Sequence, residues 1–358
     1  RWPSLGARRA LDNSWEKGLD RLCRLYLFIK NIWSAGLRFP MIFLPLRVIR
    51  IRKRMITPLV ILAATMGNRY GGLKYLDGIG PHGETILDYS VYDAIKAGFR
   101  RIVFVINPSF ETAFKENISS KYASVVDVDY VYQDVTDVAQ ELRSPKRTLL
   151  WGSAHALLRG REQLDGAPFG VINAVNFYQR ESFELLYQGL QRLASTSDDA
   201  FLVGYKLANV MPESGGANRG ICQLDSDGRL LRVDELSGVE RVGGHPMYKD
   251  AGNCWVNLDE DACVSMNMWG FTPRVFAPLA AGFDRFIREH GHDAKRAYIL
   301  PDFVNELIAG GACVKNVPTE AQWMGLVSPD DKIQALLRIN ELIRKGVYPS
   351  RLFAESNM

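Results

Sequence analysis

The sequence predicts an α/β protein built on a doubly wound, mainly parallel sheet. Three observations carry this: continuous apolar runs of strand length, amphipathic helical stretches alternating with them, and glycine-rich turns where the runs end. Pro58–Ala64 (PLVILAA) is the first run, and an unbroken apolar segment fits a strand covered by helices on both faces. Thr85–Gly98 reads as a helix, with Ile86, Tyr89, Val91, Ala94 and Ile95 as its apolar positions and Gly98 as its stop. Arg101–Ile106 is the second strand, and Pro108 begins another helix at the first position, where proline costs no hydrogen bond. Strands at Val125–Tyr132, Phe169–Ala174 and Ala200–Tyr205 follow, with helices around Ala154–Arg161 and Glu181–Leu193. Repeated βαβ units imply a Rossmann-like sheet with helices on both faces.

Beyond about Glu213 the rhythm changes. Short β-like runs at Gly220–Leu224, Leu230–Val233 and Cys263–Phe271 are separated by Gly/Asp-rich turns, and helices return at Arg274–His290, Tyr298–Ile308 and Asp331–Lys345. The expected division is a basic apolar leader (1–54) outside the folded domain, an α/β core (55–212), and a β-rich lid or substrate region with C-terminal helices (213–358), continuous with the core.

Charge sets the leader apart. Residues 1–54 carry 13 Lys/Arg and 3 Asp/Glu, whereas the remainder balances at −6. A mildly acidic domain excludes general nucleic-acid binding. The leader's longest apolar run, Phe39–Leu46, is far shorter than the ~20 residues needed to span a bilayer. The expectation is that the protein proper starts at Met55; a membrane surface is a partner only if the leader belongs to it. Cys23, Cys222, Cys254, Cys263 and Cys313 are scattered without Cys-x-x-Cys spacing, which fits reduced thiols in a cytoplasmic protein.

The chemistry concentrates in the loop after the first strand, Ala63–Lys74 (AATMGNRYGGLK). In open α/β sheets ligands sit at the carboxyl ends of strands. Glycines there let backbone N–H groups approach phosphate oxygens, and Arg69 and Lys74 supply positive charge. The spacing is neither a dinucleotide fingerprint nor a Walker loop.

The loop, with Gly80–Ser90 (GPHGETILDYS), resembles the sugar-phosphate nucleotidyltransferases, in the bacterial branch with an Arg-Tyr-Gly-Gly-Leu-Lys loop. Blocks at Trp151–Ala156, Asn173–Tyr178, Ser265–Phe271 and Gly346–Pro349 match further family segments in order. The resemblance implies the nucleotide-diphospho-sugar transferase fold and joining of a nucleoside triphosphate to a sugar 1-phosphate, with release of pyrophosphate by Mg²⁺-assisted in-line attack. It assigns Ala64, Thr65, Met66, Gly67, Gly152 and His155 to the nucleotide. Arg69 and Lys74 become the catalytic cations, and Gly220, Glu235 and Asn267 line the sugar pocket.

The sequence departs from the family at the metal. Val175 stands where the family's magnesium-binding Asp is expected, and neutral Asn176 follows it. Asn176 and Asp302 are the remaining candidate ligands. Thr65 replaces a loop glycine, Leu149 and Leu150 replace a Lys-Pro pair, Ala154 replaces a glycine, and Leu236 stands where a basic residue often meets the sugar phosphate. These changes imply impaired transfer. The alternative is a catalytically inactive nucleotide- or sugar-binding homologue, or a regulatory pseudoenzyme.

Overall fold

The protein is described by a computed structural model covering residues 56–65, 78–164, 166–193, 200–212, 215–326 and 329–354. These residues all fall in one compact unit, Arg54–Met358. The expected loop residues Met66, Gly67, Arg69 and Lys74, and the whole leader 1–54, lie outside the described residues.

The strand β1 (Pro58–Leu62) is the centre of the sheet, and its side chains alternate between two cores. Leu59 and Ile61 enter one hydrophobic cluster, Val60 and Leu62 the other. An unbroken apolar run is what a strand covered on both faces requires, and each such side chain contributes about 1.5–3 kcal/mol on burial. Strands β2 (Arg101–Ile106), β3 (Asp127–Tyr132) and β4 (Phe169–Asn173) run parallel to it, in the order β3-β2-β1-β4. On one face lie α1 (Ile86–Ala97) and α4 (Gln179–Arg192); the other is covered by α3 (Ser153–Arg159), α5 (Phe276–His290) and α6 (Leu300–Ala309). Between β2 and β3, Pro108 opens a 3₁₀ turn, Pro108–Phe110, which leads into the short helix α2 (Glu111–Asn117). Thr85 caps α1 through a reciprocal bond with Asp88.

The sheet is mixed, with a parallel core and an antiparallel flank. The strand β11 (Cys263–Phe271) is antiparallel to β4 along Trp269–Phe271 and to β7 (Ala217–Leu224) at Val264–Ser265. Its other edge carries β6 (Ala200–Lys206), which pairs in parallel with β12 (Val314–Thr319). From β7 the sheet continues through β8 (Leu230–Val242), β9 (His245–Lys249) and β10 (Trp255–Asn257), giving eleven strands. The strands read from sequence as a lid therefore extend the main sheet. Short strands β5 (Asn176–Phe177) and β13 (Met324–Gly325) form a separate pair. The last helix, α7 (Pro329–Arg344), and the segment through Tyr348 and Leu352 close a third cluster against Ile86, Tyr89 and Phe177. Among the described residues no helix is long and apolar enough to cross a membrane.

Candidate functional site

The carboxyl ends of the parallel strands form a rim. At β1 the chain continues through Ala63, whose N–H donates to the Val105 carbonyl at 2.8 Å, then buried Ala64 and exposed Thr65. Past β4, the Ala174 N–H donates to the Leu62 carbonyl at 3.0 Å. The segment carrying Val175 thus runs beside the start of the loop. Two distant pieces of sequence meet here because parallel register aligns Leu62 with Asn173.

Val175 packs its partly buried side chain against the core on the α1 side. Asn176 is 7% exposed and is held from both ends. Its carbonyl accepts from Ser90 Oγ at 3.0 Å, and its Nδ2 donates to the Tyr178 hydroxyl at 3.0 Å. That hydroxyl also accepts from the Asn173 N–H at 3.1 Å and donates to the Met266 carbonyl at 3.0 Å. Tyr178 is therefore a buried hub fixing the turn after β4 to β11 (all four groups satisfied).

The Trp151–Ser153 corner stands over the same rim. Gly152 has φ +103°, and a Cβ there would lie 2.2 Å from the Tyr298 carbonyl oxygen. Only glycine fits, because Trp151 and Ala154 pair with the backbone of Tyr298 on either side of it. Arg147 secures the corner from behind. Its guanidinium lies 3.6 Å from the Trp151 ring and donates to the carbonyls of Asp293, Leu150 and Arg296. Gln133, just past β3, is buried and donates from Nε2 to the Gly152 carbonyl at 2.9 Å.

His155 points into the core. It is 2% exposed, stacks on Phe283 with 4.4 Å between ring centroids, and lies 3.0 Å through Nδ1 from Gln133 Nε2. The Gln133 amide nitrogen carries only hydrogens to give, so Nδ1 is the acceptor and the ring proton sits on Nε2. Burial, with Arg159 and Arg147 nearby, pushes its pKa down to about 3. A neutral ring follows at physiological pH.

The antiparallel flank forms a second wall. Register sets Gly220 opposite both Glu235 and Ser265, and a Cβ at Gly220 would come within 2.9 Å of Glu235 Oε1. Asn267 has φ +59° at the irregularity in β11, where the strand passes the end of β4; its Oδ1 accepts from Trp269 Nε1 at 3.2 Å. Asp302, in the first turn of α6, faces Glu235. Burial raises both carboxyls, and their mutual repulsion raises Glu235 further; Arg219 and Arg296 oppose the shifts. Asn305 holds α6 to β8 by a two-way bond with the Val233 backbone, at 2.9 Å each way.

The structure thus brings Gly220, Glu235 and Asp302 together and sets Ala64 and Thr65 beside Val175. Asn176 and Asp302 are held by different elements. Asn176 is bonded to α1 and Tyr178, whereas Asp302 belongs to the α6 side. Among the described residues no group of three His, Cys, Asp or Glu side chains is arranged to hold a metal ion. Mg²⁺ needs hard oxygen donors, one or two of them carboxylates. Of the two candidate ligands one is a neutral amide, and no further His, Cys, Asp or Glu joins them as a group of three among the described residues.

Two residues at the site were not legible in the sequence. Gln133 looks like an ordinary polar residue after a strand. Arg219 is 6% exposed, directly opposite Leu236, where the sequence lacks its basic residue. It donates from Nε to the Val210 carbonyl at 2.9 Å, and its guanidinium lies 5.2 Å from the Trp323 ring. Burial lowers its pKa to about 10, which leaves it charged at neutral pH. A cleft of about 640 Å³ along the edge strand β3, beside Arg101, Lys115 and Tyr130, holds none of the candidate residues.

Sequence comparison finds no match, either to a protein-family model or to a curated protein. Comparison of folds does. The inositol-1-phosphate CTP transferase from T. maritima is similar with a TM-score of 0.53 and 13% identity, covering 80% of this chain and 97% of that one. A glucose-1-phosphate thymidylyltransferase from Bacillus anthracis, in complex with a sucrose, has a TM-score of 0.53 and 13% identity, covering 80% of this chain and 96% of that one. The chain has the fold of sugar-phosphate nucleotidyltransferases.

Proposed function

We propose that this protein binds a nucleoside triphosphate and a sugar 1-phosphate on a nucleotidyltransferase fold, and that its nucleotidyl transfer is impaired. The observation that carries the reading is the turn after β4. Val175 stands beside the end of β1, where the resemblance calls for a metal-binding carboxylate, and Asn176 has only a neutral oxygen to offer, its Nδ2 donating to Tyr178. Nucleotidyl transfer relies on neutralising phosphate charge, so a missing anionic metal anchor raises the barrier by several kcal/mol.

Binding rests on other groups. The nucleotide would lie over the rim between Ala64–Thr65 and the Gly152 corner, with Arg69 and Lys74 drawn to its phosphates. The sugar would lie against Gly220, where the absence of a Cβ leaves room beside Glu235. Glu235 would accept hydrogen bonds from sugar hydroxyls. The β-rich region after residue 213 then acts as the sugar-binding wall of the core. No step is assigned to Mg²⁺, because the described residues do not assemble its donor set.

The test is a panel of four nucleoside triphosphates and several sugar 1-phosphates, read both by calorimetric binding and by pyrophosphate release. Binding of one nucleotide with pyrophosphate release at least a hundredfold below an active relative is the expected result. Rapid Mg²⁺-dependent turnover would overturn the impairment, and no binding of any nucleotide or sugar phosphate would overturn the whole reading.

A further inference from the structure

Two of the five cysteines, 41 residues apart in sequence, become neighbours in the sheet. Val264 opposes Ile221 and Ser265 opposes Gly220 across β7 and β11, so the same register opposes Cys263 to Cys222. Directly opposed residues of antiparallel strands have Cα atoms ~4.5–5.5 Å apart, inside the ~4.4–6.8 Å range that a disulfide spans. The two thiols are close enough for each to shift the other's pKa. On the far side of Cys263, β6 carries Gly204, where a Cβ would come within 2.6 Å of the Cys263 sulfur. The thiol occupies that space, with Cys222 across from it. Both cysteines are reduced; Cys222 is buried and Cys263 is partly accessible.

We propose that Cys222 and Cys263 form a peroxide-oxidisable dithiol that closes a cross-strand disulfide beside Gly220. Their roles differ by access and environment. The neighbouring Cys222 thiol favours the thiolate on Cys263, while Cys263 and burial keep Cys222 protonated. Cys263 is therefore the attacking group. Its thiolate attacks one oxygen of hydrogen peroxide; the O–O bond breaks, hydroxide leaves and takes a proton to become water, and Cys263 becomes a sulfenic acid. Cys222 then loses its proton and attacks that sulfur, forming the S–S bond and expelling a second water. Two thiols and one peroxide give one disulfide and two waters.

The bond would tie β7 to β11 two residues from Gly220, whose carbonyl lies 3.7 Å from the Cys222 sulfur. Only its effect on a sugar ligand rests on the proposed function.

The experiment uses the full chain, reduced and then treated with graded hydrogen peroxide under denaturant-free conditions. Accessible thiol counted after unfolding should fall from five to three, the intact mass should drop by two hydrogens, and peptide mapping should join Cys222 to Cys263. Dithiothreitol should restore all five. In Cys222→Ser the disulfide should vanish and a dimedone adduct should appear on Cys263; in Cys263→Ser neither should form. Mapping on the unsubstituted chain decides the matter even where a variant does not fold. Oxidation confined to exposed Cys254, or a bridge joining any other pair, overturns the proposal, whatever the protein does with nucleotides.

Discussion

At the scale of single residues, the turn after β4 depends on one hydroxyl. Removing it in Tyr178→Phe leaves the Asn173 N–H, the Asn176 amide and the Met266 carbonyl without their shared partner. A loss of about 2–4 kcal/mol is expected, measured as a lower urea midpoint at unchanged slope. His155 makes a prediction about pH. Its pKa is lower folded than unfolded, so its contribution is present above about pH 6.5 and is lost as pH falls toward about 3. In ¹³C-edited NMR its ring should stay neutral at pH 5. A His155 titration near pH 6.5 would contradict its place in the core. The sequence placed His155 in a family block but could not tell that its ring turns inward, because burial is decided by Phe283 from a distant helix. Gln133 and Arg219 were illegible for the same reason: their partners are backbone groups brought close only by folding.

At the scale of elements, the apolar strands and amphipathic helices were legible because their periodicity follows from burial. Strand β1 was read two residues too long, since Ala63 and Ala64 are as apolar as the strand although they already leave it. The β8–β10 ribbon was largely missed. Its faces are half exposed, so alternation is diluted, and its turns are spelled by Gly and Asp. The Gly152 corner tests how tightly two elements are joined. Gly152→Ala sets a Cβ against the Tyr298 carbonyl at a backbone angle that L-residues avoid, and should cost about 3 kcal/mol or more. Circular dichroism melts would read this as a lowered Tm.

A second joint ties α1 to the C-terminal segment. Asp93 is fully buried, accepting from the Tyr348 hydroxyl at 2.5 Å and from Arg180 Nε at 3.3 Å. Burial outweighs these partners and raises its pKa to about 7. Because the folded form holds the proton more tightly, this group stabilises the fold at about pH 4, and that contribution is lost as pH rises toward 7. Relative to wild type, Asp93→Asn should flatten the decline in unfolding free energy over that range, by up to ~1.4 kcal/mol per pH unit. An unchanged pH profile would show that Asp93 ionises normally.

At the scale of the whole molecule, the fold and the proposed loss of activity rest on different observations. The sheet order, the rim and the flank assemble a nucleotidyltransferase fold, yet at 13% identity the solved relatives speak for architecture alone. Position by position, the fold-forming residues satisfy their packing while the turn at Val175 offers no anion. The sequence shows that change in a single letter, since an apolar side chain such as Val175 carries no oxygen to offer a cation. It could not announce that Asn176 is committed to Tyr178, which makes Asn176→Asp a poor repair because it removes a donor from a buried network.

The most direct test is therefore Val175→Asp alone, compared with wild type for nucleotide affinity and for Mg²⁺-dependent pyrophosphate release under the same conditions. Similar nucleotide affinity without metal is expected, with at least a tenfold faster release in the variant, about 1.4 kcal/mol off the barrier. Fast release by wild type, or a folded, nucleotide-binding variant that is no faster than wild type, would contradict that expectation.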